Sequence, residues 1–315
     1  MERADPTLTA APIAPVAPSE RGEAVDEVDL IPVRTYWQLV RQRFAQHRLA
    51  VMALIVLAVL VVLALAVPTL TGNTYKLTRL DRVDAMATVE APLGYNEIGQ
   101  NIAVRLAKAT QTSLLIGLAA VLIIVGIGIL VGSIAGYMGG WTDNLLMRFV
   151  DIVLSLPGLF IILMIVSLFG VGDVRVVIIA IGITGWTLAA RLIRAEFLAL
   201  RNADYVQAAR ALGAGHRRII VRHMLPAAMA PLVVAAALGV ADSVVTEAAL
   251  SFLGFGISPP EASLGNMLTN AQSYFFSAPE RALYPGVVLV LLVLCASFLG
   301  DGLRDALDPR QRIEA

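Results

Sequence analysis

Cysteine, histidine and charged residues are all scarce in this chain of 315 residues. Cys295 is the one cysteine and has no partner for a disulfide, and the three histidines are too few for us to expect a metal site. Charged residues make up 15% of the chain, with 24 basic and 24 acidic side chains. Because this net charge is zero, we expect no nucleic acid as a main partner.

Motifs of catalytic sites are also missing. The chain has no G-x-x-x-x-G-K-[ST] phosphate loop, no G-x-S-x-G elbow and no H-E-x-x-H pair. We therefore expect no catalytic residue, no metal site and no cofactor in this chain. In particular, we do not expect it to hydrolyse ATP by itself.

Apolar sequence is what the chain has in excess. Hydrophobic residues make up 58% of it, and the mean hydropathy of +0.77 is beyond what the surface of a soluble domain tolerates. Aromatic residues, at 6%, are too few for the girdles of a membrane barrel, so we expect helices to span the membrane. Apolar runs of about 20 residues each predict six spans, near 49–70, 112–136, 148–169, 174–193, 226–254 and 284–301.

These runs divide the chain into segments. The first 33 residues are rich in proline and predict a disordered tail. Most of the lysines and arginines outside that tail flank one side of the six predicted spans, which predicts that both termini are cytoplasmic. The predicted segments are a cytoplasmic tail (1–33), a segment with the first span (34–70), an extracytoplasmic segment (71–110), a five-helix core (111–303) and a cytoplasmic C-terminal tail (304–315).

The basic loop between the fourth and fifth spans predicts a short helix over residues 202–213. Asn202 is suited to its N-cap and Gly213 to the position just after its end. Four residues at helical spacing give it a narrow face of mostly small apolar side chains, suited to close docking. They are Tyr205, Ala208, Ala209 and Leu212. The alternative is a helix that lies on the membrane while its arginines reach lipid phosphates.

Polar residues in the fifth span predict a second site. Asp242, Ser243, Thr246 and Glu247 are spaced so that we expect them to share one face of the helix. A charged side chain inside the membrane costs about 2.5–3.5 kcal/mol on insertion scales, so this face is predicted to line a wet translocation pathway or gate. The alternative is that Asp242 and Glu247 cap or pair near the outer interface.

Two further patterns concern the helices themselves. Gly128, Gly132 and Gly136 form a ridge of small residues, which predicts a close approach of the second span to a neighbour. Pro157 predicts a kink in the third span.

The loop helix is part of a longer series of motifs. Gln207-Ala208-Ala209 is followed by Gly213 and Leu225-Pro226, which resembles the EAA loop of permease subunits in ABC importers. Other matching stretches are Arg43-Phe44 with Arg48-Leu49-Ala50, Gly136-Tyr137-Met138-Gly139-Gly140-Trp141, Glu247-Ala248-Ala249-Leu250-Ser251-Phe252-Leu253-Gly254, Gly265-Asn266-Met267-Leu268 and residues 300–310. Over most of residues 36–312 the chain resembles the second permease subunit of dipeptide and oligopeptide importers.

This resemblance implies an all-α membrane protein with six transmembrane helices and a type I ABC importer permease fold. It implies as partners a homologous permease in a heterodimer, two ABC ATPase subunits that bind ATP and Mg, an extracytoplasmic substrate-binding protein and the lipid bilayer of a bacterial or archaeal inner membrane. The loop would fit a groove of the ATPase. The residues implied in this coupling are Tyr205, Gln207, Ala208, Ala209, Leu212, Gly213, Leu225 and Pro226.

Departures from the family pattern leave the cargo open. Gln207 stands where the loop usually has Glu, and Tyr95, Asn96, Gln100 and Asn101 stand where this branch usually has Thr, Asp, Arg and Asp. Peptides are the first expectation, while nickel chelates, glutathione and oligosaccharides are alternatives for the same machinery. Alternatives of another class are a proton-coupled secondary transporter and a noncatalytic membrane scaffold.

Overall fold

The computed structural model describes residues 35–72 and 74–307. The predicted tail 1–33, most of the predicted tail 304–315 and Asn73 lie outside the described residues. The helices are α1 (Tyr36–Gln46), α2 (Arg48–Thr71), α3 (Ile102–Met138), α4 (Gly140–Ser155), α5 (Gly158–Phe169), α6 (Val174–Leu200), α7 (Asp204–Ala211), α8 (His216–Arg218), α9 (Leu225–Phe252), α10 (Leu264–Gln272) and α11 (Glu280–Leu307). A short 3₁₀ turn covers Leu80–Arg82, and a π-helical turn over Ile219–Met224 joins α8 to α9.

Six elements of the described chain are long and apolar enough to cross a membrane. Five are continuous: α2, α3, α6, the run from His216 to Phe252, and α11. The sixth is the pair α4 and α5, which meet at an angle of 82°. This bend lies at Leu156 and Pro157, where Leu156 is extended, as expected for a residue before proline. The predicted kink at Pro157 is thus a sharp break between two helices, and the all-α architecture with six spans is confirmed.

The close packing of α3 on α6 shows that these two helices run in the same direction. A Cβ added to Gly128 would lie 2.5 Å from Cβ of Ala189, and one added to Gly136 would lie 2.5 Å from Cβ of Phe197. Residue numbers therefore rise together along both helices, which run parallel. Since parallel neighbours need a return path between them, α4 and α5 together carry the chain back across the bundle.

Helix boundaries differ from the predictions at two places. The second span was predicted to begin near residue 112, but α3 begins at Ile102, so Arg105 and Lys108 lie in its first two turns. The side chain of Asn101 accepts hydrogen bonds from the backbone N–H of Ala103 (3.0 Å) and Val104 (3.3 Å), which explains this start. The segment predicted over 71–110 is therefore 72–101, and α11 extends four residues into the segment predicted as a C-terminal tail.

The two ends of the bundle have different contents. One end holds the segment 72–101, the loop between α9 and α10, and the start of α11, where Arg281 pairs with Asp84 and Glu97. The other end holds α7, and here His47 lies 3.5 Å from Asp305 near the end of α11. The two sets of predicted functional residues lie on α7 and on α9.

Candidate functional site

The loop helix α7 begins one residue later than predicted. It begins at Asp204 with Ala203 as N-cap, so Asn202 is not the N-cap. The Asn202 carbonyl instead accepts a hydrogen bond from Nε2 of Gln207 (3.0 Å). Extended backbone at Ala203 and an acidic side chain in the first turn, which suits the helix dipole, define this end.

At its other end α7 stops as predicted. Gly213 has a positive φ of 81°, and the Ala214 N–H reaches back to the Ala209 carbonyl (3.0 Å). A second bond joins the Gly213 N–H to the Arg210 carbonyl (3.0 Å), which completes a Schellman motif. Gly213 is therefore a structural stop that turns the chain back towards the membrane spans.

One residue, Val206, anchors α7 to the rest of the bundle. Its side chain is 0% exposed and lies in a buried cluster with Tyr137, Phe197, Ile219 and Met224. Val206 was not among the predicted site residues, although it is the larger of the two apolar residues of α7 that the predicted docking face leaves out. The helix therefore has one side fixed against the spans and another side open.

The open side carries most of the predicted docking face. Leu212 is 89% exposed and Tyr205 is 45% exposed, and Gln207 and Ala208 are also exposed, while Ala209 is half-buried. Such exposure of a short, firmly anchored helix is what docking onto another chain requires.

Leu225 and Pro226 are the first two residues of α9. Leu225 is half-buried against the same cluster as Val206, and Pro226 is exposed. Because Pro226 has no N–H to give to the fourth residue before it, regular helical bonding is interrupted here, and the π-helical turn Ile219–Met224 precedes it. These two residues connect the loop to α9, and their part in coupling stays a prediction.

A cavity of about 480 Å³ lies among α3, α5, α6 and α9. Three predicted pathway residues, Asp242, Ser243 and Thr246, line it, and Thr184 adds a further hydroxyl. The rest of its lining is apolar or glycine. Asp242 is exposed and forms no ion pair with any described residue, so its carboxylate is available to this space.

Glu247 does not line this cavity. Five residues along a helix correspond to a rotation of about 140°, so Asp242 and Glu247 face different directions, and the predicted shared face was wrong for this pair. The carboxylate of Glu247 is 0% exposed and accepts hydrogen bonds from Oγ of Ser113 on α3 (2.8 Å) and Oγ of Ser251 (2.8 Å). The side chain of Ser263, in the loop before α10, also bonds to this carboxylate, so the contacts of Glu247 are with α3, with its own helix and with this loop.

Ser113 and Ser251 also form hydrogen bonds with the loop after α9. Oγ of Ser251 accepts the Ile257 N–H (2.9 Å), and Oγ of Ser113 accepts the Leu264 N–H at a longer 3.4 Å. Each serine hydroxyl thus donates to Glu247 and accepts from a backbone N–H of segment 257–264. Neither serine was a predicted site residue. Ser251, four residues after Glu247, could have been found by helical spacing, but Ser113 is 134 residues away.

Asn266 holds the same segment from the other side. Its Nδ2 donates to the carbonyls of Ile257 (3.2 Å) and Glu261 (2.9 Å). Gly265 packs against α9 so tightly that an added Cβ would lie 2.6 Å from Cβ of Ser251. The motifs of residues 247–254 and 265–268 are therefore two halves of one packed unit.

An ionic cluster lies at the end of the bundle that holds segment 72–101. Glu261 accepts hydrogen bonds from Nζ of Lys76 (2.7 Å) and Oη of Tyr75 (2.7 Å). The hydrogen bond from Lys76, followed by the one from Tyr75, lowers the pKa of the Glu261 carboxyl. The cluster ties the segment after α2 to the loop before α10.

Comparison with known proteins shows which family this chain belongs to. Residues 128–313 match the family described as binding-protein-dependent transport system inner membrane component, and residues 35–90 match the N-terminal TM domain of oligopeptide transport permease C. The chain belongs to this permease family.

Individual relatives agree over most of the permease. The oligopeptide transport system permease protein OppC of Mycobacterium tuberculosis is 38% identical over 281 residues, which cover 87% of this chain and 94% of the relative. OppC of Haemophilus influenzae is 37% identical, with 89% and 90% covered. The glutathione transport system permease protein GsiD of Pectobacterium atrosepticum is 36% identical, with 88% and 92% covered.

A solved structure of the MetNI methionine ABC transporter in an inward-facing conformation has a TM-score of 0.49 and 22% identity to the permease, with 64% of this chain and 96% of that chain covered. The predicted resemblance to oligopeptide ABC permeases is confirmed by the family matches and the relatives. The permease is a multi-pass membrane component of an ABC importer, and its family is that of a noncatalytic subunit.

Proposed function

We propose that the permease forms half of a translocation pathway for peptides and is coupled to ATPase subunits through α7. The observation that carries this proposal is the two-sided packing of α7. Val206 is buried in the bundle, while Tyr205, Ala208 and Leu212 remain open to a partner. A helix held in this way can transmit a displacement of its partner to the spans.

The buried cluster around Val206 provides the route for such a displacement. It includes Phe197 of α6 and Met224, which precedes α9, and these two helices line the cavity that contains Asp242. Motion of α7 would therefore act on two walls of the cavity. In the proposed cycle, ATP binding by the partner subunits moves α7 and opens the cavity outward, and hydrolysis resets it.

The proposed assembly follows from the same family. A homologous permease supplies the other half of the pathway as a heterodimer, two ABC ATPase subunits bind ATP and Mg below, and an extracytoplasmic binding protein delivers the cargo above. Both termini of the permease are cytoplasmic in this arrangement. The basic residues around α7, including Arg210, Arg217 and Arg218, support that orientation.

Peptides are the cargo that we favour. Two of the relatives are named as oligopeptide permeases, and one is named for glutathione. The mostly apolar cavity with one free carboxylate, Asp242, suits a peptide that has apolar side chains and a cationic amino terminus. Glutathione is the second candidate, supported by the GsiD relative.

A pair of matched variants tests the coupling. Ala208→Glu places a long charged side chain on the exposed docking face and is expected to abolish ATP-driven uptake while the permease still inserts and folds. Gln207→Glu adds the same charge one residue earlier on the same exposed helix, where the family usually has Glu, and is expected to leave uptake within about twofold of wild type. Uptake by reconstituted importer is the measurement. Normal uptake with Ala208→Glu, or equal loss with both variants, would contradict the proposal.

A further inference from the structure

A second cavity, of about 640 Å³, opens beside α7 at the end of α3. Its polar lining consists of Tyr137, Arg201, Asn202, Arg210 and His216, and no acidic residue contributes to it. Neither arginine forms an ion pair with any described residue. The cavity thus presents two guanidinium groups without a counter-charge.

The surroundings hold these cationic groups in place. The guanidinium of Arg201 packs against the backbone of Gly139, so closely that an added Cβ would lie 2.5 Å from Nη1. The guanidinium carbon of Arg210 lies 6.0 Å from the centre of the Tyr137 ring, and the Tyr137 hydroxyl is 2.7 Å from Nδ1 of His216. Such planar, positioned guanidinium groups match the oxygens of a phosphate.

The apolar part of the cavity indicates which kind of molecule carries that phosphate. Ile134, Met138 and Ile220 complete the lining, and Met138 is 63% exposed. Trp141, just beyond the end of α3, is 77% exposed, and tryptophan is enriched at membrane–water interfaces. Basic groups beside an exposed apolar wall fit a phospholipid better than an acidic protein segment.

We propose that this cavity binds the phosphate group of an anionic phospholipid. Arg201 and Arg210 contact the phosphate, and the acyl chains pass over Ile134 and Met138. Since Arg201 follows α6 and Arg210 belongs to α7, one bound lipid restrains α7 relative to the spans. This site is separate from the docking face and does not depend on the proposed cargo.

The test uses the full chain in detergent, titrated with phosphatidylglycerol, phosphatidylcholine or inorganic phosphate and observed by native mass spectrometry. Phosphatidylglycerol is expected to bind in preference to the other two. The double variant Arg201→Gln/Arg210→Gln should weaken its binding at least about tenfold. The matched control Arg217→Gln/Arg218→Gln removes the same charge from the same loop without touching the cavity and should change binding by less than about twofold.

A second measurement does not depend on the variants. Hydrogen exchange of α7 in the wild-type chain should slow in nanodiscs that contain phosphatidylglycerol, relative to nanodiscs of phosphatidylcholine alone. Equal loss in both double variants, or unchanged exchange of α7, would overturn the site. Inorganic phosphate that binds as well as the lipid would overturn the lipid assignment. Exclusion of phosphatidylglycerol when the ATPase subunits are assembled would assign the two arginines to a protein interface instead.

Discussion

Replacement of Glu247 by glutamine tests whether this buried carboxylate anchors the loop after α9. The glutamine side chain has nearly the same shape, but it has one acceptor oxygen and one NH₂ donor in place of two acceptor oxygens. Ser113 and Ser251 each donate to Glu247 and each accept from a backbone N–H. In the variant, one serine hydroxyl faces a donor and loses its only acceptor.

The expected cost follows from that one lost hydrogen bond. A buried donor left without an acceptor destabilises a protein by about 1–3 kcal/mol. Burial alone leads to the opposite expectation, because removal of a buried charge relieves its desolvation and would leave stability unchanged or slightly raised. The stability of the variant therefore distinguishes the two hypotheses: it falls if the carboxylate anchors the loop, and it is unchanged or raised if the carboxylate is merely buried.

Hydrogen exchange of the backbone amides of Ile257 and Leu264 is the most direct assay. A loss of about 1–3 kcal/mol in the local stability of this segment corresponds to exchange that is about fivefold to about 150-fold faster. The melting temperature of the permease in nanodiscs should also be lower than that of wild type, and the rate of uptake should fall. Glu280→Gln, which changes an exposed acid at the start of α11, is the matched control and should alter neither quantity measurably.

A double-mutant cycle checks the cause. Glu247→Gln disrupts the hydrogen bond to one of the two serines, so its effect on stability should not add to that of whichever variant, Ser113→Ala or Ser251→Ala, removes the same bond. Unchanged exchange at Ile257 and Leu264 in Glu247→Gln, together with additive effects in the cycle, would refute the anchoring role.

Three other predictions concern packing, charge and access. Gly136→Leu should destabilise the permease in thermal unfolding by about 1–3 kcal/mol or more, because the side chain meets the α6 backbone. Gly126→Leu should be tolerated, because a Cβ added at Gly126 has nothing within 4 Å. Because the pKa of Glu261 is lowered, its ionic cluster adds stability above the ordinary carboxyl pKa of 4.5 and loses this stability as the pH falls through the lowered pKa. The melting temperatures of wild type and Glu261→Gln should therefore become equal in acid. In a Cys295→Ala background, Asp242→Cys should react with a small aqueous thiol reagent; its protection would remove Asp242 from the proposed pathway.

Much of the fold could be predicted because long apolar runs and small-residue ridges are local signals. The first span was placed within one residue at each end, and the ridge of Gly128 and Gly136 correctly predicted a close helix contact. The start of α3 was placed too late, since Arg105 and Lys108 look like loop residues when only hydropathy is considered. The cap supplied by Asn101 shows that the helix begins before them.

The candidate sites were harder to predict because their key contacts join distant parts of the chain. Val206 becomes an anchor only when α7 folds back on Phe197, and Glu247 becomes one only when Ser113 of α3 lies beside it. Helical spacing placed four residues on one face of α7, of which three are exposed and Ala209 is half-buried, while Gln207 and Arg210 outside that face are exposed too. It could not show that α9 is turned so that Asp242 meets the cavity and Glu247 meets α3.

Cross-linking from α7 tests the central proposal, coupling to an ATPase, most directly. A photoreactive amino acid is placed at Leu212, which is 89% exposed on α7, and in a separate control at Phe276, which is 100% exposed at the opposite end of the bundle. In membranes that contain the assembled importer, Leu212 is expected to form an adduct that mass spectrometry identifies as the ATPase subunit, and Phe276 is not. Absence of the ATPase from the Leu212 adduct, or equal capture from both positions, would contradict coupling through α7.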